Sequence, residues 1–409
     1  MRETTVVERV FAEFEADALT SFRPPGVADA QRRLRQRRRR RGLLAGLTAL
    51  LVGGPAGAFA LAGGQTDPRP TPTPVVSVSP QRKFMERQII VNGVPSTLTD
   101  IRFVDGRVGW ALLGTCEPTA DQVSGDCVRT LARTTDGGQS WRYASWSDAT
   151  GPAQLLAVDA DTAAVRSERV YRWTQDGGVT LVSLRLTDLP DVVRRSMATR
   201  SGLYIGCPGA KEPGAVPVTC TRSQVRRVGG GALPRQPALT LQPDNGGLFE
   251  GGDGRLWVVS TEGDGVAVAT SDDQGESWLR LPTVAGPATL SVSPDGRGVW
   301  LLGEDRSRMV WRLVGDRWQQ RGGLPDDTSQ AAALDADTLV VTSAYGGLGF
   351  WTGGRYTDVP ELREPLRRDR DDQDAGVDVL PDGTIAVRQS SALILGTGRG
   401  TDRTWVRIS

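Results

Sequence analysis

The chain predicts an all-β fold built from repeated antiparallel sheets, and three observations carry that expectation. Glycine supplies 50 of 409 residues, and tryptophan supplies 11 against 4 methionines, a composition that suits tight turns around a β core better than a helical bundle. A weak unit of strand, Asp- and Gly-rich turn, and strand recurs past residue 85. Two octapeptides, Thr134-Thr135-Asp136-Gly137-Gly138-Gln139-Ser140-Trp141 and Ser271-Asp272-Asp273-Gln274-Gly275-Glu276-Ser277-Trp278, follow one pattern.

The recurring turn sits at Phe103-Val104-Asp105-Gly106, Val158-Asp159-Ala160-Asp161-Thr162, Gly252-Asp253-Gly254, Pro294-Asp295-Gly296, Asp335-Ala336-Asp337-Thr338 and Pro381-Asp382-Gly383-Thr384, with a looser copy at Arg200-Ser201-Gly202-Leu203-Tyr204. A spacing of roughly 40 to 55 residues is that of a four-stranded propeller blade. Residues 86–409 therefore read as a β-propeller of about six to eight blades, with seven favoured by the copies. Closing such a ring pairs a strand near Gln88-Ile89-Ile90-Val91 with one near Trp405-Val406-Arg407-Ile408, which removes the exposed edges.

Within each octapeptide the carboxylate of Asp136 or Asp273 can accept backbone N–H groups across a turn. Gly138 and Gly275 supply a positive φ, and the hydroxyls of Thr134 and Ser271 add local bonds. Trp141 and Trp278 fold back as apolar plugs. A relic, Thr174-Gln175-Asp176-Gly177-Gly178-Val179-Thr180, carries Leu181 in place of the Trp. The pattern resembles the Asp box, or BNR repeat, of β-propellers, and the run from Phe103 through Trp141 resembles bacterial BNR propellers related to photosystem II assembly factors. That resemblance implies a scaffold role for the boxes.

The N-terminal region has a different character. Residues 1–41 carry 11 Arg and 6 acidic residues, and 42–64 carry no charge. Because the whole chain is +1, residues 65–409 sum to about −4. Val7, Phe11, Phe14 and Ala18 share one helical face, either docking a cytosolic partner or lying along a bilayer. Arg32, Arg33, Arg35, Arg37, Arg38, Arg39, Arg40 and Arg41 abut the apolar stretch 42–64, which is long enough to cross a membrane as one helix. By the positive-inside rule the N-terminus stays in the cytoplasm and the rest is exported to the outer side of the plasma membrane. An uncleaved signal anchor leads. Ala58-Phe59-Ala60 and Ala60-Leu61-Ala62 leave cleavage open, and Arg40-Arg41 leaves twin-arginine export open. Residues 65–85 read as a Pro- and Thr-rich stalk.

All four cysteines follow the apolar stretch, as Cys116 with Cys127 and Cys207 with Cys220. Four cysteines allow three connectivities, and nearest-neighbour pairing closes the shortest loops, so two loop staples are expected in an exported domain.

Histidine is absent from the sequence, which removes His-based nucleophile activation and the commonest transition-metal ligand. No cofactor or metal is implied, and the balanced charge argues against nucleic acid as a partner. Sialidases share the Asp box, but their Arg-Ile-Pro-like signature is missing and Tyr204, Tyr345 and Tyr356 stand in no motif. Asp372-Gln373-Asp374-Ala375-Gly376 lacks the spacing of a Ca²⁺ loop, and Gly396-Thr397-Gly398-Arg399-Gly400 reads as a hairpin turn. The expectation is a membrane-tethered extracytoplasmic binding or scaffold module for a protein, glycan or cell-envelope ligand. A transmembrane sensor and a sialidase-like hydrolase are the alternatives.

Overall fold

A computed structural model describes residues 84–409, apart from 92–93, 96, 117–125, 150–152, 168–169, 186–189, 211–212, 214–219, 243–245 and 368–375. The expectations for residues 1–83 and for the acidic loop at 372–375 lie outside the described residues. Among the described residues no helix is long and apolar enough to cross a membrane.

The described chain is nearly all β. Strand β1 (Phe84–Arg87) is followed by a ribbon of β2 (Ile90–Val91) and β3 (Val94–Pro95). The first sheet then runs β4 (Leu98–Phe103), β5 (Gly109–Cys116), β6 (Asp126–Thr134) and β7 (Arg142–Ala149). The second runs β8 (Gln154–Ala157), β9 (Ala163–Arg166), β10 (Val170–Thr174) and β11 (Val182–Arg185). Helix α1 (Asp191–Ser196) precedes a third sheet in which the described residues form two strands, β12 (Leu203–Gly206) and β13 (Gln224–Arg227).

The fourth sheet comprises β14 (Gly246–Glu250), β15 (Leu256–Glu262), β16 (Gly265–Ser271), and a broken outer strand made of β17 (Leu279–Arg280) and β18 (Val284–Ala285). The fifth has β19 (Ala288–Val292), β20 (Val299–Gly303), β21 (Met309–Val314) and β22 (Arg317–Gly323). The sixth has β23 (Thr328–Ala333), β24 (Thr338–Ser343), β25 (Gly347–Thr352) and β26 (Arg355–Asp358), followed by a 3₁₀ turn and helix α2 (Arg363–Arg367). The seventh comprises β27 (Gly376–Val379), β28 (Ile385–Arg388), β29 (Leu393–Arg399) and β30 (Asp402–Ile408), with β1 added at its edge.

Successive side chains of a strand point to opposite faces, and here both faces are covered. In β5, Trp110 and Leu112 join a cluster with Leu155 and Val165 of the second sheet. The intervening Ala111 and Leu113 join one with Leu395 and Ile408 of the seventh. In β20, Trp300 and Leu302 pack toward Leu339 of the sixth sheet, whereas Val299 and Leu301 pack toward Trp257 of the fourth. In β28, Ile385 and Val387 face Val340 of the sixth and Ala386 faces Ile101 of the first. Leu203 and Val225 pack toward Leu256 and Val258, and α1 sets Val193 against Ala164 and Tyr171. Each sheet thus packs on its sequence neighbours, except that α1 covers the second sheet on the side of the third, and the last sheet meets the first. This is the cyclic layering of a β-propeller.

Closure uses the expected C-terminal strand but a different partner. Phe84–Arg87, not Gln88–Val91, pairs with β30, in parallel register from Phe84 opposite Trp405 to Arg87 opposite Ile408. The pairing continues one step further, with Ile89 N–H donating to the Ser409 carbonyl at 2.8 Å and Ser409 N–H to the Arg87 carbonyl at 3.1 Å. Ile90 and Val91 are diverted into the ribbon with Val94 and Pro95. The ring domain therefore begins at or before Phe84, two residues ahead of the expected boundary at 86.

Candidate functional site

Because neighbouring strands in a sheet are antiparallel, the turns from first to second strand and from third to fourth strand lie at the same end of the ring. Both recurrent motifs fall there. The Asp-Gly turns join first to second strands, and the octapeptides join third to fourth.

In the octapeptides one buried hydroxyl organises the turn. Thr134 Oγ1 donates to Asp136 Oδ1 at 2.8 Å and accepts the Gly138 N–H at 2.9 Å. Ser271 does the same toward Asp273 and Gly275 at 2.7 and 2.8 Å, and Thr174 toward Asp176 and Gly178 at 2.8 and 3.0 Å. The carboxylate then accepts the N–H and hydroxyl of the residue four positions on, Ser140, Thr180 or Ser277. For Asp176 and Asp273 the Thr180 and Ser277 hydroxyls are the main cause holding the carboxyl at about 2. At Asp136 burial pushes upward, but the bonds from Ser140, Thr134 and Gln139 outweigh it and leave the group at about 2. Gly138 and Gly275 have φ of 83° and 88°, and a Cβ on them would strike Ile408 and Leu233 respectively.

The tryptophans depart from expectation. Trp141 and Trp278 are only half-buried, each against the edge of a cluster, with Trp278 Nε1 reaching the Arg235 carbonyl at 3.3 Å. The fully buried indoles are Trp110, Trp257, Trp300, Trp351 and Trp405. A strand position between two sheets excludes water on both faces, whereas a turn lies at the end of the sheet and covers only one side of its indole.

The Asp-Gly turns are equally structural. Asp105 accepts the N–H groups of Arg107 and Val108 at 2.8 and 2.7 Å, and Asp335 those of Asp337 and Thr338 at 2.9 and 2.8 Å. They also join sheets. Trp110 Nε1 donates to the Asp159 carbonyl at 2.9 Å while Arg133, over the Trp110 ring at 5.9 Å, pairs with Asp161 at 2.7 Å. Trp300 and Arg312 hold Asp335 and Asp337 in the same way.

Two cysteines are joined as expected. Cys207 and Cys220 form a disulfide across the hairpin between β12 and β13, with Cα atoms 5.8 Å apart. Cys116 and Cys127 are opposite one another in the β5–β6 register, the equivalent hairpin of the first sheet. Their side chains lie outside the described ones.

The departure from regularity is the third sheet. Its turn copy, Arg200-Ser201-Gly202, has no Asp, and Glu250 of the next sheet substitutes for it. Glu250 Oε2 accepts the Ser201 N–H at 2.8 Å and its hydroxyl at 3.1 Å, while Arg200 Nε lies 3.9 Å from Glu250 Oε1 and its Nη2 donates to the Gly251 carbonyl. Among the described residues no first strand lines the axis here, and α1 packs against the second sheet in the corresponding stretch of chain. The result is a cavity of about 760 Å³. Its walls are the β12 edge at Leu203 to Ile205, the turn at Met197 to Arg200, and the ends of three inner strands at Leu248 and Glu250, Val292, and Val379. It is of ligand size, lined about equally by polar and apolar surface, with a charged rim. Sequence reasoning named Arg200, Leu203, Tyr204, Gly252, Pro294 and Pro381 of its lining only as parts of the recurring turn, and the irregular copy at Arg200 marked the place.

No protein-family model matches the chain, and no curated protein matches it. Among solved structures, the chain is similar to "YCF48 bound to D1 peptide" at 15% identity, covering 74% of this chain and 94% of that one with a TM-score of 0.41. It is similar to the C-terminal WD40 domain of Sif2 at 12% identity, covering 77% and 86% with a TM-score of 0.40. Similarity to the Pyrococcus horikoshii acylaminoacyl peptidase is 14% identity, covering 73% of this chain and 51% of that one with a TM-score of 0.42.

Proposed function

We propose that this chain is a membrane-tethered, seven-bladed propeller that binds a protein, glycan or cell-envelope ligand outside the cytoplasm, and that the cavity beside β12 is where it does so. The single observation that carries the reading is the cavity itself. A ring of regular blades has its axis walled by inner strands, and this ring interrupts the wall in one blade and opens a pocket with apolar sides and an Arg-Glu rim. Six clusters between successive sheets and a seventh between the second sheet and α1 support the blade count, with the two-stranded sheet as the reduced third blade. Binding, not turnover, is proposed, since the pocket wall offers positioned hydrogen-bond and apolar groups.

In this reading residues 42–64 anchor the chain, Arg32 to Arg41 keep the N-terminus cytoplasmic, and 65–83 hold the ring off the bilayer. The test uses full-length protein in nanodiscs against panels of peptides, glycans and envelope fragments. Filling the cavity with Val292→Trp should abolish binding of the retained ligand while the melting temperature is kept. Equal binding by the filled protein overturns the cavity assignment, and turnover of a sialoside overturns the assignment as a binder. A periplasm-type reporter fused after residue 80 should be active and a cytoplasmic one silent; the reverse overturns the topology.

A further inference from the structure

Strand β12 has an open edge, and its hydrogen-bond geometry specifies what can cover it. In the β12–β13 register Ile205 is opposite Val225. Val225 spends its N–H on Gln236 Oε1 at 2.8 Å and its carbonyl on Gln236 Nε2 at 2.9 Å and Leu233 N–H at 3.0 Å. An antiparallel pair exchanges both bonds or neither, so Ile205 and Val225 are a non-hydrogen-bonded pair. The N–H and C=O of Ile205 therefore point away from β13, toward the side that the cavity occupies. Two residues earlier the same phase holds. Leu203 turns its N–H to Thr199 Oγ1 at 3.0 Å and its carbonyl to the Thr199 N–H at 2.8 Å. Beyond Ile205, the Cys207 carbonyl accepts the Ala210 N–H at 3.0 Å. Among the described residues, Ile205 is thus the open rung between two closed ones.

We propose that the ligand is an extended polypeptide segment that adds as the missing inner strand of the third blade, antiparallel to β12, with one residue exchanging both backbone bonds with Ile205. This deepens the proposed function and rests on the reading that the cavity is the binding site. Each of the other six sheets places an inner strand of four to six residues antiparallel to its second strand at this position, so the vacancy has the length and direction of a short strand. Strand addition supplies affinity through backbone bonds and selects side chains at alternate positions. The neighbours of those positions are apolar, at Leu203, Leu248, Val292 and Met197, and favour Val, Ile or Leu. Antiparallel direction brings the C-terminal end of the added strand beside Leu203 and the Arg200 guanidinium, whose side chain is 62% exposed, so an acidic residue following the apolar pair completes the match.

The experiment selects binders from a random peptide display library on the full-length protein in nanodiscs and measures their affinity for three variants. Ile205→Pro deletes the one outward N–H without touching the β12–β13 ladder, an edge position where Pro is tolerated. It should weaken the selected peptides by about tenfold or more with the melting temperature kept. Ile205→Val should bind as wild type, and Val292→Trp should bind nothing. Hydrogen exchange on the wild-type protein supplies a measurement independent of whether Ile205→Pro folds: the Ile205 amide should become protected when peptide is added. Peptides that bind Ile205→Pro as well as wild type, or that leave the Ile205 amide unprotected, overturn strand addition; if those peptides are still lost in Val292→Trp, the cavity reading stands without it. Peptides indifferent to Val292→Trp overturn both, and a library that returns no binder while a glycan or envelope fragment is displaced by Val292→Trp overturns strand addition alone.

Discussion

Replacing Trp257 and Trp278 by Ala separates a strand indole from a turn indole in the same sheet. Trp257 is fully buried between the fourth and fifth sheets among Val266, Leu290 and Leu301, with Arg255 5.7 Å above its ring. A buried indole removes ~150–250 Å² from water, which at ~25 cal/mol/Å² is about 4–6 kcal/mol, and large-to-small core changes fall at ~3–5 kcal/mol. About 4 kcal/mol is the expected loss. Trp278 covers one face of its turn, and half the burial gives about 2 kcal/mol. For a ring of about 330 residues the unfolding entropy is ~0.7 kcal/mol/K, so Trp257→Ala should lower Tm by about 6 °C and Trp278→Ala by about 3 °C. Differential scanning calorimetry of the two variants and the wild type measures both. A Trp278→Ala loss equal to or larger than that of Trp257→Ala would refute the ranking by burial and restore the octapeptide Trp as the core plug.

The buried hydroxyls should matter more than their size suggests: Thr134→Val and Ser271→Ala each leave a glycine N–H without its acceptor and should cost ~1–3 kcal/mol by urea unfolding, whereas Thr135→Val, at an exposed position, should be neutral. The octapeptide carboxylates impose an acid limb on stability. Their folded pKa of about 2 lies below the ordinary aspartate value of 3.8, so their contribution is fully present above about pH 4 and is lost as pH falls through 2; melting curves across that window should flatten in Asp176→Asn/Asp273→Asn, and an unchanged acid limb would contradict the assignment. Non-reducing peptide mapping of exported protein should return Cys116–Cys127 beside Cys207–Cys220, and Cys207→Ser should loosen the β12–β13 hairpin, read as faster amide exchange there, without melting the ring.

The fold was legible because its signals are local. A turn that needs a carboxylate acceptor and a positive φ can be written in few residues, and Asp105, Asp159, Asp253, Asp295, Asp335 and Asp382 each mark the junction of a first and second strand. The octapeptides were legible for the same reason, since all their bonds close within a few residues. Burial was not. Whether an indole is plugged or half-covered depends on which sheet lies against it, and that is decided by residues far away in sequence, such as Leu290 beside Trp257. The closing strand shifted to Phe84–Arg87 because Ile90 and Val91 found a local partner in Val94 and Pro95, a competition that alternation alone does not resolve. The cavity needed tertiary structure altogether. Arg200 and Glu250 are 50 positions apart, and only Arg200 stands in a copy of the recurring turn; they meet because α1 displaces an inner strand and the next blade lends its carboxylate to a turn that lacks one. Sequence by itself determined the repeating sheet and its turns, because those rest on short-range hydrogen bonds, whereas the interrupted blade, the open rung at Ile205 and the pocket beside it are properties of how the ring closes on itself.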